Sequence, residues 1–366
     1  MSDIHSHGSA DPLDLALTRR AFVTRAAAAA VTIGAGSSLL TQGARAATRT
    51  RVARSATNVT ILNILAPQLG YAAEYIADIK GYYTKNGLNV TVQTSRGSAP
   101  AIQALISNQG MLTSIGSMET IIHAANEGVP LRSIAIREHR APVALISSNA
   151  NPLTTPTSLV GKTIGIPSAG GTSELTLNAL LKKYNIPIEQ VKRQVTGFAP
   201  GTFELIKQGR IDGFIIGATQ MGQFQVLIPE AVFLQFGKYV LDSYGYVTTP
   251  DQIRQNRLPM RAYLQAVRHA MFDIIADKKQ HNYANTLAML RAHYDFEELK
   301  DDRVAKSWLD YLTVGWLYQG QKFVLKPEVK RFHRIYDQLV DNGVVKAGQN
   351  PYQWLNTTVA VYPKSK

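Results

Sequence analysis

From Asn58 onward the chain alternates short apolar, β-branched runs with stretches whose apolar residues recur at helical spacing. That alternation predicts open parallel sheets joined by crossover helices. Residues 59–65 read as the first strand, 67–70 as its exit turn, and 71–80 as a helix stopped by Gly81. Residues 88–94 form the second strand. The run Gly97-Ser98-Ala99-Pro100 opens a helix ending near Asn108, with Ser98 as N-cap and Pro100 in the first turn, where its missing N–H costs nothing. A strand at 111–115, an exit turn at Gly116-Ser117, a helix at 118–126 and a strand at 131–136 complete the first set.

The pattern breaks at the polar stretch 147–158, and a second set begins: strand 162–166, glycine-rich turn 167–172, helix 173–184, strand 191–195, helix 202–208, strand 213–216 and a last strand at 233–236. Beyond Gln252 the chain reads as almost wholly helical, with helices at 260–276, 283–293, 304–318 and 330–342 that are expected to pack on the first lobe. The fold class is therefore α/β with two lobes, each an open, mostly parallel sheet flanked by helices, followed by a helical C-terminal segment. Lobe I takes 58–145 and 240–366, and lobe II takes 146–239. Trp308, Trp316 and Trp354 read as core. There is no solenoid-length repeat and no heptad run.

Composition narrows the function. Hydrophobic residues at 45% and charged residues at 18% fit a soluble globular protein long enough for two cores. The absence of cysteine removes disulfides, thiolate nucleophiles, Cys-ligated zinc and a lipidated N-terminal cysteine. A formal charge of +13 would suit nucleic acid, but apart from Arg49, Arg51 and Arg54 the cations are dispersed among acids without a basic, aromatic-laced stripe. Nucleic acid is thus not an expected partner.

The first 46 residues read as an address. Arg19-Arg20-Ala21-Phe22 precedes an Ala-rich apolar run, and Ala44-Arg45-Ala46 supplies a small-x-small cleavage site. The adjacent arginines resemble a twin-arginine signal, although Val23 and Thr24 replace the preferred Leu and Lys; Sec export and a retained anchor are the alternatives. Cleavage near Ala46 leaves a flexible mature N-terminus at 47–57. It removes four arginines and three acids, so the mature chain stays basic, and it places the protein in the periplasm.

Several segments together resemble the type II periplasmic solute-binding proteins of the sulfonate, taurine, nitrate and thiamine-pyrimidine-precursor ABC importers. They are Gly81-Tyr82-Tyr83-Thr84-Lys85-Asn86-Gly87-Leu88-Asn89-Val90, the turn Gly97-Ser98, Glu127-Gly128-Val129-Pro130-Leu131, Ser158-Leu159-Val160-Gly161-Lys162-Thr163-Ile164-Gly165-Ile166-Pro167 and Gly209-Arg210-Ile211-Asp212-Gly213. Their order and spacing carry the resemblance; Gln109-Gly110-Met111-Leu112-Thr113 lacks the Asp of the family's first-lobe element. The resemblance implies a monomeric subunit that captures a small organic solute by hinge closure near 143–150 and 236–245 and delivers it to an inner-membrane permease. A sulfonate-like anion is the expected solute, and a neutral pyrimidine or aromatic nutrient is the alternative.

In open α/β sheets ligands bind beyond the carboxyl ends of strands, where helix N-termini present free N–H groups. The expected ligand contacts are accordingly Gln68, Tyr71, Gly97, Ser98, Gly116 and Ser117 in the first lobe and Gly170, Gly171, Thr172 and Ser173 in the second. Arg140 is the expected charged partner and Tyr244 a second aromatic wall beside Tyr71. No catalytic residue, metal site or cofactor is expected. The six histidines after the leader lack metal-ligand spacing, and an enzyme known on this family's fold uses a cysteine-rich motif that this chain cannot carry. A sensory ectodomain is the remaining rival reading.

Overall fold

The computed structural model describes residues 56–362; the leader with its twin-arginine pair and the cleavage region near Ala46 lie outside the described residues. In chain order the strands are β1 (Thr57–Asn63), β2 (Leu88–Thr94), β3 (Leu112–Gly116), β4 (Arg132–Glu138) and β5 (Val143–Ser148). They continue with β6 (Thr163–Ile166), β7 (Lys192–Val195), β8 (Gly213–Gly217), β9 (Ala231–Gln235) and β10 (Tyr244–Thr248). The helices of the strand-bearing part are α1 (Ala72–Ile79), α2 (Tyr82–Lys85), α3 (Ser98–Ile106), α4 (Ser117–Asn126), α5 (Thr172–Lys183), α6 (Phe203–Lys207) and α7 (Met221–Leu227). The tail holds α8 (Pro250–His281), α9 (Ala284–His293), α10 (Asp302–Leu317) and α11 (Val329–Asp341).

Two five-stranded sheets result, ordered β2-β1-β3-β10-β4 and β7-β6-β8-β5-β9. β1 pairs parallel with β2 and β3, and β6 pairs parallel with β7 and β8. β10 runs antiparallel to β3 and β4, and β5 antiparallel to β8 and β9. Each sheet therefore has four strands of one direction and one reversed strand, and the reversed strand is the one the chain delivers on arriving from the other sheet. The chain crosses twice, through residues 139–142 and 236–243.

Three details differ from the sequence-based expectation. Residues 143–145, expected in the first lobe, belong to β5 at the heart of the second sheet, because a strand buried on both faces is a plain apolar run with no mark of which sheet it joins. β4 continues past Ile136 through Arg137 and Glu138, two charged residues that resemble a turn in the sequence yet are buried. β10 and α7 were not anticipated as elements.

The tail also departs from expectation. α8 begins at Pro250 behind a Thr249 cap and bends at Asn256, where Pro259 cannot donate a backbone hydrogen bond one turn back. α8, α9 and α10 pack with α1 on the first sheet, burying Met260, Tyr263, Met271 and Trp308 together with Ile76. α11 does not join them: its Phe332, Ile335 and Leu339 share a core with Met118 and Ile121 of α4 and with Leu145, Ile164 and Leu177 of the second lobe. Trp308, Trp316 and Trp354 are buried, as expected.

Gly245 marks how tightly the reversed strand is inserted. A Cβ there would stand 2.7 Å from the carbonyl oxygen of Ala135, a backbone atom that cannot swing aside. Gly245→Ala is predicted to cost about 1–3 kcal/mol by overpacking. Urea unfolding checks this, and a midpoint equal to that of the unsubstituted protein would show that β10 has room to spare.

Candidate functional site

A cleft of about 800 Å³, counting the part open to solvent, lies where the two lobes face each other. The first lobe lines it with Ile64, Leu65, Gln68, Tyr71 and Ser98 at the exits of β1 and β2, and with Arg137, Glu138 and Tyr244 at the ends of β4 and β10. The second lobe contributes Pro167, Ser168, Thr172 and Ser173 after β6, Phe198 after β7, and Gly217, Thr219 and Gln220 after β8. Trp308 closes the wall from α10. These are strand exits apart from Tyr244, at the entry of the reversed strand β10, and the tail's tryptophan, as the geometry of open sheets requires.

The floor is built around Arg137, which is only 4% exposed. Its guanidinium reaches Glu74 Oε2 at 3.3 Å and Glu138 Oε1 at 3.4 Å, and it also donates to the carbonyl of Gly70. Burial opposes its charge, but Glu74, Tyr246 and Glu138 outweigh that and hold its pKa well above the ordinary value. Burial raises the Glu138 carboxyl despite the neighbouring Arg137. Tyr246 donates to Glu74 Oε1 at 2.5 Å, fixing that carboxylate from behind. The guanidinium carbon lies 5.5 Å from the Tyr71 ring centroid and 6.0 Å from that of Tyr244, so it sits between two aromatic faces. One cation facing two carboxyls leaves no surplus positive charge here.

Where the lobes touch, side chains of one lobe cap helices of the other. Thr172 N–H, in the first turn of α5, donates to Ser98 Oγ of the opposite lobe at 2.9 Å. Thr172 Oγ1 donates to Glu119 Oε2 on α4, and His123 Nε2 lies 3.2 Å from the Gly170 carbonyl. Gly97 is required at this contact: its φ is +118°, and a Cβ would meet Ser168 Oγ at 2.4 Å. The first turn of α4 is likewise filled, because Met118 N–H donates to Asp242 Oδ1 at 3.0 Å and Ser117 Oγ pairs with Ser243 Oγ at 2.7 Å. Burial lifts both carboxyls of this seam, Glu119 and Asp242, to about 7, against the hydrogen bonds from Thr172 and from the Met118 and Ser243 amides.

Residues 68–281, more than half of the chain, match the family model described as NMT1/THI5 like. The chain belongs to the NMT1/THI5-like family. Among curated proteins it is 28% identical over 141 residues to riboflavin-binding protein RibY of Chloroflexus aurantiacus, a match covering 38% of this chain and 40% of that protein. The chain thus spans about two-fifths of the length of the curated relative it matches. Among solved structures, the alkanesulfonate-binding protein SsuA from Xanthomonas axonopodis pv. citri superposes with a TM-score of 0.59 at 12% identity, covering 80% of this chain and 96% of that one. The periplasmic nitrate-binding protein NrtA from Synechocystis PCC 6803 gives 0.60 at 16%, covering 81% and 84%. At such identities these likenesses show the fold, the two-lobed periplasmic-binding-protein architecture.

In this NMT1/THI5-like protein the cleft gathers Gln68, Tyr71, Gly97, Ser98, Thr172, Ser173 and Tyr244 of the residues singled out from sequence. It does not gather five others. Gly116 and Ser117 lie behind it, packed on Thr172 and Ser243. Gly170 and Gly171 serve the interlobe contact, Gly170 N–H donating to Glu174 at 2.8 Å and Gly171 packing on Ser98. Arg140 points into a different cavity and lies over Tyr311. Ser98 caps α5 of the other lobe, whereas Gly97 holds the N-cap position of its own helix. Phe198, Thr219 and Gln220 were missed, although they follow strands that the sequence located and the strand-exit rule points to them. Arg137 and Glu138 likewise follow the strand read at 131–136 but were passed over for Arg140, whereas Trp308 left no such signal.

The seam predicts a pH dependence. Glu119 favours its neutral form in the fold, with a pKa of about 7 against an ordinary 4.5. The native state therefore holds an extra proton between these values, and its stability falls as pH rises from about 4.5 to about 7. Asp242 acts in the same direction. Glu119→Gln keeps a neutral hydrogen-bonding group, so thermal melts across this window should show the unsubstituted protein losing stability relative to the variant as pH rises. Parallel curves would refute a neutral Glu119.

Proposed function

We propose that this chain is the solute-binding component of an ABC-type importer and that its cleft takes a neutral, planar nitrogen heterocycle. The observation that carries the reading is the charge balance of the floor: Arg137 is held between Glu74 and Glu138, so an anion gains no free cation. A sulfonate-like solute, the expectation drawn from family resemblance, loses its charged partner when Arg140 lies elsewhere. The aromatic walls Tyr71, Tyr244, Phe198 and Trp308 match a flat ring, and Gln68, Ser98, Thr219 and Gln220 supply donors and acceptors for a ring edge. Trp308 Nε1 and Arg137 Nε are buried without a protein partner and suit ring carbonyls or ring nitrogens. The likeness to a protein named for riboflavin, itself a fused pyrimidine, supports the same class.

Capture proceeds by closure. The crossings at 139–142 and 236–243 act as the hinge, and a solute that touches both lobes binds the closed form better than the open one, which shifts the population. The seam of Ser98, Thr172 and Glu119 contributes to closure without the solute, so the solute supplies only the remainder. The reading includes export through the leader, cleavage near Ala46, a periplasmic monomer and delivery to an inner-membrane permease. No helix among the described residues is long and apolar enough to cross a membrane.

Mass spectrometry of material released from gently purified protein, followed by calorimetry with pyrimidines, flavins, alkanesulfonates and nitrate, tests the class. Heterocycles should bind, and Tyr244→Ala should weaken that binding by about 2 kcal/mol, roughly thirtyfold. Tight binding of a sulfonate or nitrate with none of a heterocycle would overturn the reading.

A further inference from the structure

A second cavity, of about 950 Å³ with its open part, flanks the same two crossings. Val143 lines both cavities, and the turn after β8 divides its residues between them: Gly217, Thr219 and Gln220 line the cleft, while Ala218 and Met221 line the second cavity. The crossings and this turn are thus the wall that separates the two spaces.

The charge of the second cavity is unlike that of the cleft. Arg140, Lys238, Arg331 and Arg334 line it with one lining carboxyl, Asp242, while Glu328, beside Arg331 and Arg334, stands close by. Among the described residues Arg140, Lys238 and Arg334 take part in no ion pair, in contrast to Arg137 with its two carboxyls. Arg140 lies instead over the Tyr311 ring at 4.6 Å, which leaves its N–H groups for another partner. Arg331 is 6% exposed, and one of its terminal nitrogens ties the two crossings together by donating to His139 O at 2.9 Å and Asp242 O at 2.6 Å. Its Nε has no hydrogen-bond partner, nor has His139 Nε2, whose other ring nitrogen is engaged by Glu328 at 2.9 Å. The His139 and Arg331 side chains are buried, so these are two unsatisfied nitrogens in the wall of a basic cavity.

We propose that this cavity is a second ligand site, for a small doubly charged oxyanion or dicarboxylate, and that its occupant braces the hinge. Guanidinium forks from α11 and from the first crossing, with Lys238 from the second, converge on one space, which suits a compact group carrying several anionic oxygens. Because the cations sit on both crossings and on α11, an occupant links segments that must move relative to one another when the lobes open. The site is independent of what the cleft binds.

The test is calorimetry of the purified protein with inorganic phosphate and with succinate, each referenced to chloride at equal ionic strength, together with hydrogen exchange. The expected result is saturable binding of at least one of them at one site per chain, with slower exchange in segments 139–142 and 236–243. The double variant Lys238→Gln/Arg334→Gln alters two exposed side chains and should weaken binding by roughly tenfold or more. Arg140→Gln provides an independent second variant with the same expected direction. Absence of binding beyond the chloride reference, or unchanged affinity in both variants, would overturn the site; binding without protection of the two segments would overturn the bracing.

Discussion

Arg137 is a charged group held out of water, and the cleft is arranged around keeping it so. Removing a guanidinium from solvent is tolerable only when carboxylates and further hydrogen bonds replace the lost hydration. Glu74 from α1 and Glu138 from the same strand provide the charges, Gly70 a carbonyl, and the faces of Tyr71 and Tyr244 the sides. Tyr246 in turn fixes Glu74. The set draws on β4, β10, α1 and the turn before it, so the floor of the cleft is rigid only when the reversed strand β10 is seated between β3 and β4. The cleft floor and the sheet topology are joined at this one residue.

The reversed strands have a second consequence. Each sheet contains a reversed strand that reaches it from the other sheet, so two short crossings, residues 139–142 and 236–243, join the two sheets. Around these crossings the tail adds more ties than a tail lying on one lobe would. α11 shares a core with α4 and the second lobe, and Gly222 of α7 packs so closely on Ser307 of α10 that a Cβ would meet it at 2.4 Å. At the seam Ser98 caps α5 of the partner lobe and Asp242, from the second crossing, caps α4, so the starts of both helices are satisfied by protein rather than water.

The two cavities divide the labour of charge. In the cleft an arginine is paired with two carboxyls and flanked by two aromatic rings. Across the crossings four cations line a cavity with one lining carboxyl, whose burial favours its neutral form, and Glu328 stands beside Arg331 and Arg334. Cations dispersed in sequence thus meet beside the crossings, while the one at the cleft floor is paired.

The alternation of apolar runs and helical periods, with glycines and serines at the turns, determined by itself that the chain forms two α/β lobes and that strand exits would face each other, because local propensity and the geometry of open sheets act over a few residues. It located Gln68, Tyr71, Gly97, Ser98, Thr172 and Ser173 for that reason, and Tyr244 only as an aromatic residue near the returning crossing. Only the tertiary structure decided that Arg137 rather than Arg140 reaches the cleft, since a strand's alternation of faces and its true end, two residues later than its apolar run suggests, set which side chain points where. Likewise Ser98 caps a helix seventy-odd residues away, Trp308 arrives from a distant helix, and Gly116 and Ser117 are occupied by the returning crossing. Partners so remote along the chain meet only when both sheets are complete, and no local pattern records them.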